Sequence, residues 1–473
     1  MDSLLTAAAR LARGETTAER LVSQALEQVE AREAELHAFL TLLPESAIED
    51  ARQSDRRRAS GGARGLLDGI PWAAKDNLLT EGVRTTAASR ILDEYLPPYS
   101  ATAVERLGAQ GAVLLGKANL DEFAMGSSTE YSAFGPSRNP VDPSRVPGGS
   151  SGGSAVAVAA GMSHFALGSE TGGSVRQPAA FCGVVGVKPS YGRVSRYGLI
   201  AFASSLDQIG TLTRDVRDAA LVLGAIAGED PMDQTTATAP VADYLAAAQA
   251  GGQGLSFGVP PEYLQEGVAP AVRDEVERAA ARLEAAGLRR KDVTLPHTSY
   301  ALDAYYIIAP AEASSNLARF DGMRYGPRAD APELIEAYRR SRGQGFGTEV
   351  KRRILLGTYV LSAGYYDTYY LQAQRLRTLL RQEFLRAFGE VDVLLTPTTP
   401  TTAFRFGENT QDPLAMYMAD ALTIPANLAG LPAISVPGRA ADGLPVGLQV
   451  MAPPLREDLM FRAAATLEEV AAR

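Results

Sequence analysis

The sequence has little cysteine and little histidine, and each scarcity excludes a class of protein. Cys182 is the single cysteine in 473 residues, so an internal disulfide bond is impossible and we expect a reducing compartment. The three histidines, His37, His164 and His297, have no metal-ligand spacing. The usual histidine general base therefore has no evident candidate, and we expect no metal site.

Long apolar runs are also missing. No run approaches the roughly 20 residues that a membrane helix needs. The N-terminal residues carry acids and arginines at helical spacing instead of the basic and apolar regions of a signal peptide. We therefore expect a cytoplasmic protein with no membrane association.

Lysine is scarce as well, since it makes up five of the 46 basic residues. Arginine cannot lose its proton in a protein, whereas a buried lysine can. A lysine retained in such a chain raises the question whether an amine is required. Lys291 and Lys351 lie in charged surroundings typical of a protein surface. Lys75 is different, because it ends an apolar segment, 66–75, that predicts a buried strand.

The charge balance argues against direct nucleic-acid binding. The net charge is −9, the isoelectric point is near 5.2 and the arginine clusters are scattered. Strands and helices alternate over the whole length, without a clear linker, which predicts an α/β fold. We expect a single large domain over residues 1–473, with a central mixed β-sheet flanked by helices and a helical insertion at about 300–390.

Periodicity, capping residues and glycine positions locate the elements. The predicted helices are 3–12, 17–36, 101–109, 155–160, 215–227, 270–286 and 455–472, with a mostly helical stretch at 309–386. The predicted strands are 66–75, 112–115, 183–187, 209–212, 255–259, 391–395, 433–436 and 446–451. The last two strands flank the turn sequence Ala441-Asp442-Gly443 and predict a hairpin.

Two clusters of glycine and serine, 148–154 and 171–174, bracket a run of alanine and valine. Glycine lets a substrate or another chain segment approach the backbone closely. A flexible linker is the alternative interpretation, but both clusters adjoin apolar sequence without runs of proline or charge. We therefore predict a site at which hydroxyl and backbone N–H groups face a bound molecule.

Two short motifs are set aside. Residues 149–153 match G-x-S-x-G, the nucleophile elbow, but no strand precedes them. Residues 111–117 match the start of a phosphate-binding loop, but Ala118 replaces the magnesium-binding hydroxyl residue and the middle of the motif predicts a strand.

A serine hydrolase without histidine needs another base, and a neutral lysine can serve if burial lowers its pKa from roughly 10.4 towards 7–8. Lys75, one serine of the first cluster (Ser150 or Ser151) and Ser174 of the second could form a Ser–Ser–Lys relay. One serine would attack, and the other would pass its proton to the amine. The predicted oxyanion donors are the backbone N–H groups of Thr171, Gly172, Gly173 and Ser174.

The motifs GGSSGGS (148–154), TGGSVRQP (171–178) and IPWAAKDN (70–77) strongly resemble the amidase signature family, and the resemblance extends over nearly the whole chain. It implies the amidase signature fold, with the signature core at about 66–215. It also implies Ser174 as the nucleophile, Ser150 as the bridging serine in a cis peptide and Lys75 as the base. Glu170 and Ser127 depart from the usual aspartate and glycine of the family.

Within the family, the segments 312–326, 345–370 and 413–432 are similar to the A subunits of glutamyl-tRNA(Gln) amidotransferases. This resemblance implies Arg353 as a contact for the glutamine α-carboxylate, Asp420 for its α-ammonium group and Tyr305 as a further contact. Arg352 and Tyr306 are close rivals. Arginine and aspartate are the residue types that such charges require.

The same resemblance implies hydrolysis of glutamine to supply ammonia for converting Glu-tRNA(Gln) to Gln-tRNA(Gln). It further implies a heterotrimer with subunits B and C, in which the B subunit holds ATP, Mg²⁺ and most of the tRNA, with no cofactor in this chain. Service of Asp-tRNA(Asn) stays open. The alternatives are a stand-alone amidase acting on small or aryl amides, an inactive scaffold and a nucleotide-binding protein.

Overall fold

A computed structural model describes residues 1–440 and 443–471 of the chain. The strands are, in chain order, β1 (Phe39–Leu42), β2 (Pro71–Lys75), β3 (Val113–Ala118), β4 (Phe165–Glu170), β5 (Val185–Lys188), β6 (Gln208–Thr213), β7 (Ser256–Gly258), β8 (Arg289–Lys291), β9 (Val393–Pro397), β10 (Ala433–Arg439) and β11 (Pro445–Met451). They form one 11-stranded sheet in the order β1-β3-β2-β4-β6-β5-β10-β11-β9-β7-β8.

Sixteen α-helices are described alongside this sheet. They are α1 (Leu4–Ala12), α2 (Ala18–Leu36), α3 (Pro44–Ala59), α4 (Thr102–Ala109), α5 (Gly152–Ala159), α6 (Arg176–Cys182), α7 (Val216–Ile226), α8 (Tyr244–Ala250), α9 (Pro270–Ala285), α10 (Ala301–Asn316), α11 (Leu334–Gly345), α12 (Thr348–Val360), α13 (Leu371–Ala387), α14 (Pro413–Met418), α15 (Ile424–Ala429) and α16 (Glu457–Ala471). A π-helical segment, Tyr366–Tyr370, leads into α13. No helix among the described residues combines the length and apolar character that a membrane span requires.

The sheet is mixed, as the sequence predicts. β2 pairs in parallel with β3 on one side and with β4 on the other. From β4 through β6, β5, β10 and β11 to β9 every neighbouring pair is antiparallel, and β7 joins β9 and β8 in parallel. Because β2 and β4 are parallel neighbours, the residues that follow Lys75 and Glu170 emerge at the same edge of the sheet.

The sequence predicts β2 because its residues up to Lys75 are continuously apolar, and all residues of this strand are buried. Trp72 stacks on Phe165 of β4 with ring centroids 5.8 Å apart. The apolar character of β2 thus brings Lys75 into the protein interior at the strand's end.

Local capping explains why several helices begin where the sequence predicts. The Thr17 side chain accepts a hydrogen bond from the Arg20 N–H, and Asp215 caps α7 in the same way. Pro270 occupies the first turn of α9, where a missing N–H has no cost.

The structure corrects several boundaries. β2 begins at Pro71 rather than at residue 66, and β3 runs to Ala118 rather than ending at residue 115. The strands β1, β4 and β8 and the helices α6, α8, α14 and α15 have no counterpart in the prediction. The expected loop 148–154 ends early, because α5 already begins at Gly152. A Cβ at Gly153 would lie 2.5 Å from the carbonyl oxygen of Ala38, so glycine there permits close packing of this helix.

The predicted hairpin is present as the antiparallel pair β10–β11. Ala441 and Asp442 of its predicted turn lie outside the described residues. The predicted helical stretch 309–386 corresponds to α10–α13, which lie between β8 and β9 in the chain, although residues 320–333 are not helical.

Candidate active site

The Lys75 side chain is fully buried at the end of β2. Its Nζ donates hydrogen bonds to Ser150 Oγ at 2.7 Å, Ser151 Oγ at 2.8 Å and the Ser169 carbonyl oxygen at 3.1 Å. Burial lowers the pKa of Lys75 to about 7, although nearby carboxylates act in the opposite direction. A substantial fraction of the amine is therefore neutral near pH 7 and can accept a proton.

Close backbone packing holds the first serine cluster. The Gly149–Ser150 peptide bond is cis. The Gly149 N–H donates to Gln177 Oε1 at 2.8 Å, and the Asp121 N–H donates to the Ser150 carbonyl oxygen at 3.2 Å. A Cβ at Gly149 would lie 2.8 Å from the backbone nitrogen of Ser128, so a larger residue would displace this neighbour.

The two serines that the sequence could not separate differ in their partners. The Ser151 hydroxyl donates its proton to the Ser169 carbonyl oxygen at 3.1 Å, so this hydroxyl already has an acceptor. In the described part of the chain, the Ser150 hydroxyl has Lys75 as its only hydrogen-bond partner. Ser150 can therefore accept from a further hydroxyl or donate to it, which the bridging position in a relay requires.

Ser174 follows β4 at the same edge of the sheet and is 6% exposed. Its carbonyl oxygen accepts from the Ser151 N–H at 3.0 Å, so the two serine clusters are directly joined. Its hydroxyl makes no hydrogen bond with any described residue, and the expected Ser150–Ser174 hydrogen bond is thus not formed in this structure. The Ser174 hydroxyl is free to turn towards a substrate.

Hydrogen bonds with two residues outside it hold the loop from Thr171 to Ser174. Asp207 accepts from the Thr171 hydroxyl at 2.6 Å, and the Thr423 hydroxyl donates to the Gly172 carbonyl oxygen at 2.7 Å. Within the described ranges, the backbone N–H groups of residues 171–174 have no hydrogen-bond acceptor. These donors are available to a ligand, and such an arrangement can stabilise the oxyanion of a tetrahedral intermediate.

A buried ion pair supports the same loop. Glu170 accepts from the backbone N–H groups of Val175 and Arg176 at 3.1 Å each, and its carboxylate pairs with the Arg176 guanidinium. Burial acts to raise the pKa of Glu170, but Arg176 outweighs it and lowers that pKa. Glu170, which stands where the family usually has aspartate, is thus held in its charged form by Arg176.

Tyr305 and Asp420 lie against the two glycines of this loop. A Cβ at Gly172 would lie 2.9 Å from Tyr305 Oη, and a Cβ at Gly173 would lie 2.9 Å from Asp420 Oδ1. The Asp420 Oδ2 atom accepts a hydrogen bond from Ser127, whereas Oδ1 is buried without a partner among the described residues. Burial raises the pKa of Asp420 to about 7. An incoming ammonium group would satisfy the free oxygen.

Arg353 is buried, whereas the side chain of its rival Arg352 is 42% exposed. The positive charge of Arg353 acts to lower the pKa of Asp420, although burial outweighs it. Tyr306, the rival of Tyr305, stacks on Tyr417 with centroids 3.9 Å apart. Tyr305 therefore lies against the glycine loop, and Arg353 is the buried member of its pair.

Sequence reasoning missed three supporting residues. Ser127 donates to Asp420, Asp207 holds Thr171, and Glu349 accepts from Arg353 Nε at 2.8 Å. Only Glu349 leaves a signal in the sequence, because it precedes Arg353 by four residues on one helix. The other two contacts join segments that are distant in the chain.

The motifs set aside have other roles in the structure. Lys117, the lysine of the partial phosphate-loop match, lies on β3 and donates to the Leu78 carbonyl oxygen at 2.8 Å and to Thr85 Oγ1 at 2.6 Å. His297 contacts Glu383 at 2.9 Å, and His37 ends α2. Among the described residues, no group of three or more His, Cys, Asp and Glu side chains is placed to hold a metal ion.

Comparison with known proteins identifies the family of this chain. The sequence model of the family described as Amidase matches residues 20–461, and the chain belongs to this family. The similarity becomes more specific among individual relatives. The A subunit of the glutamyl-tRNA(Gln) amidotransferase from Moorella thermoacetica is 58% identical over 459 residues, covering 97% of this chain and 94% of the relative. Its counterpart from Geobacillus kaustophilus is 56% identical, covering 97% and 95%.

Solved structures of related proteins show the same similarity. The crystal structure of the glutamyl-tRNA(Gln) amidotransferase A subunit from Thermotoga maritima is 46% identical, with a TM-score of 0.79 over 94% of this chain and 90% of that one. The native peptide amidase from Stenotrophomonas maltophilia is 33% identical, with a TM-score of 0.84 over 99% and 97%. The predicted α/β fold with a mixed sheet is thus confirmed, and so is the predicted family.

Proposed function

We propose that this chain is the glutamine-hydrolysing subunit of a glutamyl-tRNA(Gln) amidotransferase. The observation that carries the proposal is that two kinds of group lie around the glycine loop. Lys75, Ser150 and Ser174 suit amide hydrolysis, and the buried Arg353 and Asp420 suit the charged end of a free amino acid. Relatives more than half identical over nearly the whole chain carry the name of that enzyme's A subunit.

The reaction begins when Ser174 Oγ attacks the carbon of the glutamine side-chain amide. The serine proton passes to Ser150 while the Ser150 proton passes to the neutral Lys75 amine. The new oxyanion is stabilised by the N–H groups of residues 171–174, and each such donor contributes about 3–4 kcal/mol to lowering the barrier.

The intermediate collapses when Lys75 returns the proton through Ser150 to the leaving nitrogen, which departs as ammonia. The products are a γ-glutamyl ester on Ser174 and free ammonia. A water molecule then attacks the ester with Lys75 again as the base, which releases glutamate and restores the Ser174 hydroxyl.

We further propose that the chain works in a heterotrimer with subunits B and C. The B subunit would hold ATP, Mg²⁺ and most of the tRNA, and the ammonia would pass to it. A net charge of −9 supports this division, since an acidic chain has little attraction for tRNA phosphates. A separate assay with Asp-tRNA(Asn) tests whether the complex also acts on that substrate.

The proposal is tested by measuring ammonia release from glutamine by the chain alone and after co-expression with subunits B and C. We expect hydrolysis that rises when the partners, ATP and Glu-tRNA(Gln) are added, and amide transfer that requires all of them. Benzamide and acetamide serve as comparison substrates. Faster hydrolysis of these generic amides by the chain alone, with no effect of the partners, would favour a stand-alone amidase.

A further inference from the structure

Glu349 is a buried carboxylate beside the site that neither contacts the glycine loop nor belongs to the Ser–Ser–Lys group. It lies on α12 and is 2% exposed. Its Oε1 accepts from Arg353 Nε at 2.8 Å and from Tyr417 Oη at 3.0 Å, and its Oε2 pairs with Arg352. Burial acts to raise the pKa of Glu349, but its partners, Arg353 first, outweigh burial and lower that pKa. The carboxylate therefore stays charged.

These contacts fix the orientation of the Arg353 guanidinium. Glu349 takes the Nε–H, while the two terminal nitrogens have no hydrogen-bond partner among the described residues. Rings of Phe202, Tyr306 and Tyr417 surround the guanidinium, with centroids 5.7, 5.3 and 5.2 Å from Cζ. The free edge is the one that binds a carboxylate through two parallel hydrogen bonds.

Glu349 also connects the helix that carries the positively charged Arg353 to the segment that carries the negatively charged Asp420. Arg353 belongs to α12, whereas Tyr417 belongs to α14, and the Asp420 N–H donates to the Tyr417 carbonyl oxygen at 3.2 Å. The cluster of Arg352, Glu349 and Arg353 has a net charge of +1, opposite to the charge of ionised Asp420. This pair of charges complements the α-carboxylate and α-ammonium groups of a free amino acid.

We propose that Glu349 is the positioning residue that makes the site selective for amides with an α-carboxylate. It orients the Arg353 guanidinium, and through Tyr417 it connects α12 to the segment that ends in Asp420. The inference rests on the proposed function, because it assumes that Arg353 receives the glutamine carboxylate.

The test compares L-glutamine with 4-aminobutyramide, which is glutamine without its α-carboxylate, in the assembled amidotransferase. The variants are Glu349→Gln, Arg353→Ala and the double variant. Glu336→Gln is the matched control, because Glu336 pairs with Arg340 at the same four-residue spacing on the exposed side of α11.

We expect Glu349→Gln to raise the KM for glutamine at least tenfold while kcat falls less than threefold. The kcat/KM for 4-aminobutyramide should change less than twofold, and the double variant should lose no more than Arg353→Ala alone. The control should leave both substrates unchanged. Tyr417→Phe, which keeps the Glu349 charge and removes one donor to it, should raise the KM for glutamine in the same direction by about threefold.

Equal losses with both substrates would overturn the positioning role in favour of general support of the fold. Additive losses in the double variant would also overturn it, and so would a lowered KM, which would mean that Glu349 merely competes with the substrate for Arg353. A wild-type enzyme that does not prefer glutamine over 4-aminobutyramide would instead overturn the proposed function itself.

Discussion

At the scale of the residue, the proposed chemistry depends on one amine. Lys75 is fully buried, holds two serine hydroxyls and has a pKa lowered to about 7 by burial. Arginine at this position would keep the charge and the donors but could not accept a proton at physiological pH. Lysine is scarce in this sequence, and Lys75 is a lysine whose proposed role requires an uncharged amine.

Lys75→Arg is expected to reduce glutamine hydrolysis by at least 1,000-fold, because the relay loses its base. Steady-state ammonia release measures the effect. Lys291→Arg is the control, since Lys291 is exposed on β8 and should tolerate arginine without loss. Retention of a tenth of the activity by Lys75→Arg would remove the lysine base from the mechanism.

The pH dependence follows from the same pKa. Below about pH 7 the Lys75 amine is protonated, so kcat should fall tenfold per pH unit there and be level above it. Saturating glutamine isolates this step from the protonation of Asp420, whose pKa is also raised to about 7 and which affects substrate binding. A kcat that is constant from pH 5.5 to pH 8.5 would contradict a neutral lysine base.

At the scale of the element, two parallel strands and the loops after them build the site. β2 delivers Lys75 and β4 delivers the loop that ends in Ser174, and α5 packs against both strands. The sequence predicts β2 because its residues are continuously apolar, but it does not reveal β4. The segment Phe165–Glu170 contains glycine, serine and glutamate and no β-branched residue, so its strand conformation depends on neighbours on both sides.

Helix α6 eluded prediction for a related reason. It has seven residues with a proline in its first turn, and all of them are buried, so no amphipathic pattern marks it. By contrast, α2 has a side-chain cap at Thr17, α9 begins with Pro270, and both helices have a polar face. The parts of the site that sequence reasoning could place are those tied to short motifs, and the parts it missed depend on contacts between distant segments such as Ser127 with Asp420.

Gly172→Ala tests the loop as an element. The added Cβ would lie 2.8 Å from Tyr305 Cζ, so either the loop or the ring must shift. We expect kcat to fall about 100-fold, the effect of losing one oxyanion donor, with little change in the unfolding temperature. Gly343→Ala on α11 is the control, because its Cβ would meet nothing within 4 Å. Unchanged kcat in Gly172→Ala would show that this loop does not hold the oxyanion.

At the scale of the whole molecule, a buried polar network joins the two halves of the sheet. Arg176 pairs with Glu170 at the end of β4, hydrogen-bonds Gln449 of β11 and Asn427 of α15, and donates to the Thr423 carbonyl oxygen at 3.0 Å. The network thus holds the proposed oxyanion loop against strands that come from the end of the chain.

Arg176→Leu is expected to lower the free energy of unfolding by about 3–5 kcal/mol, because it leaves the buried Glu170 carboxylate unpaired. Urea denaturation followed by tryptophan fluorescence and circular dichroism measures this difference. Arg290→Leu, which removes a partly exposed pair with Glu277, should cost less than about 1 kcal/mol. Equal losses in the two variants would mean that the network does not join the halves.

The central claim is that Ser174 forms the acyl-enzyme and that an amine, rather than an imidazole, drives its formation. The most direct measurement is mass spectrometry of peptides from enzyme quenched in acid during glutamine turnover, with Ser174→Ala as the reference. The account predicts a γ-glutamyl adduct on Ser174 that is absent from the Ser174→Ala enzyme. An adduct on Ser150, Ser151 or any other residue would contradict it.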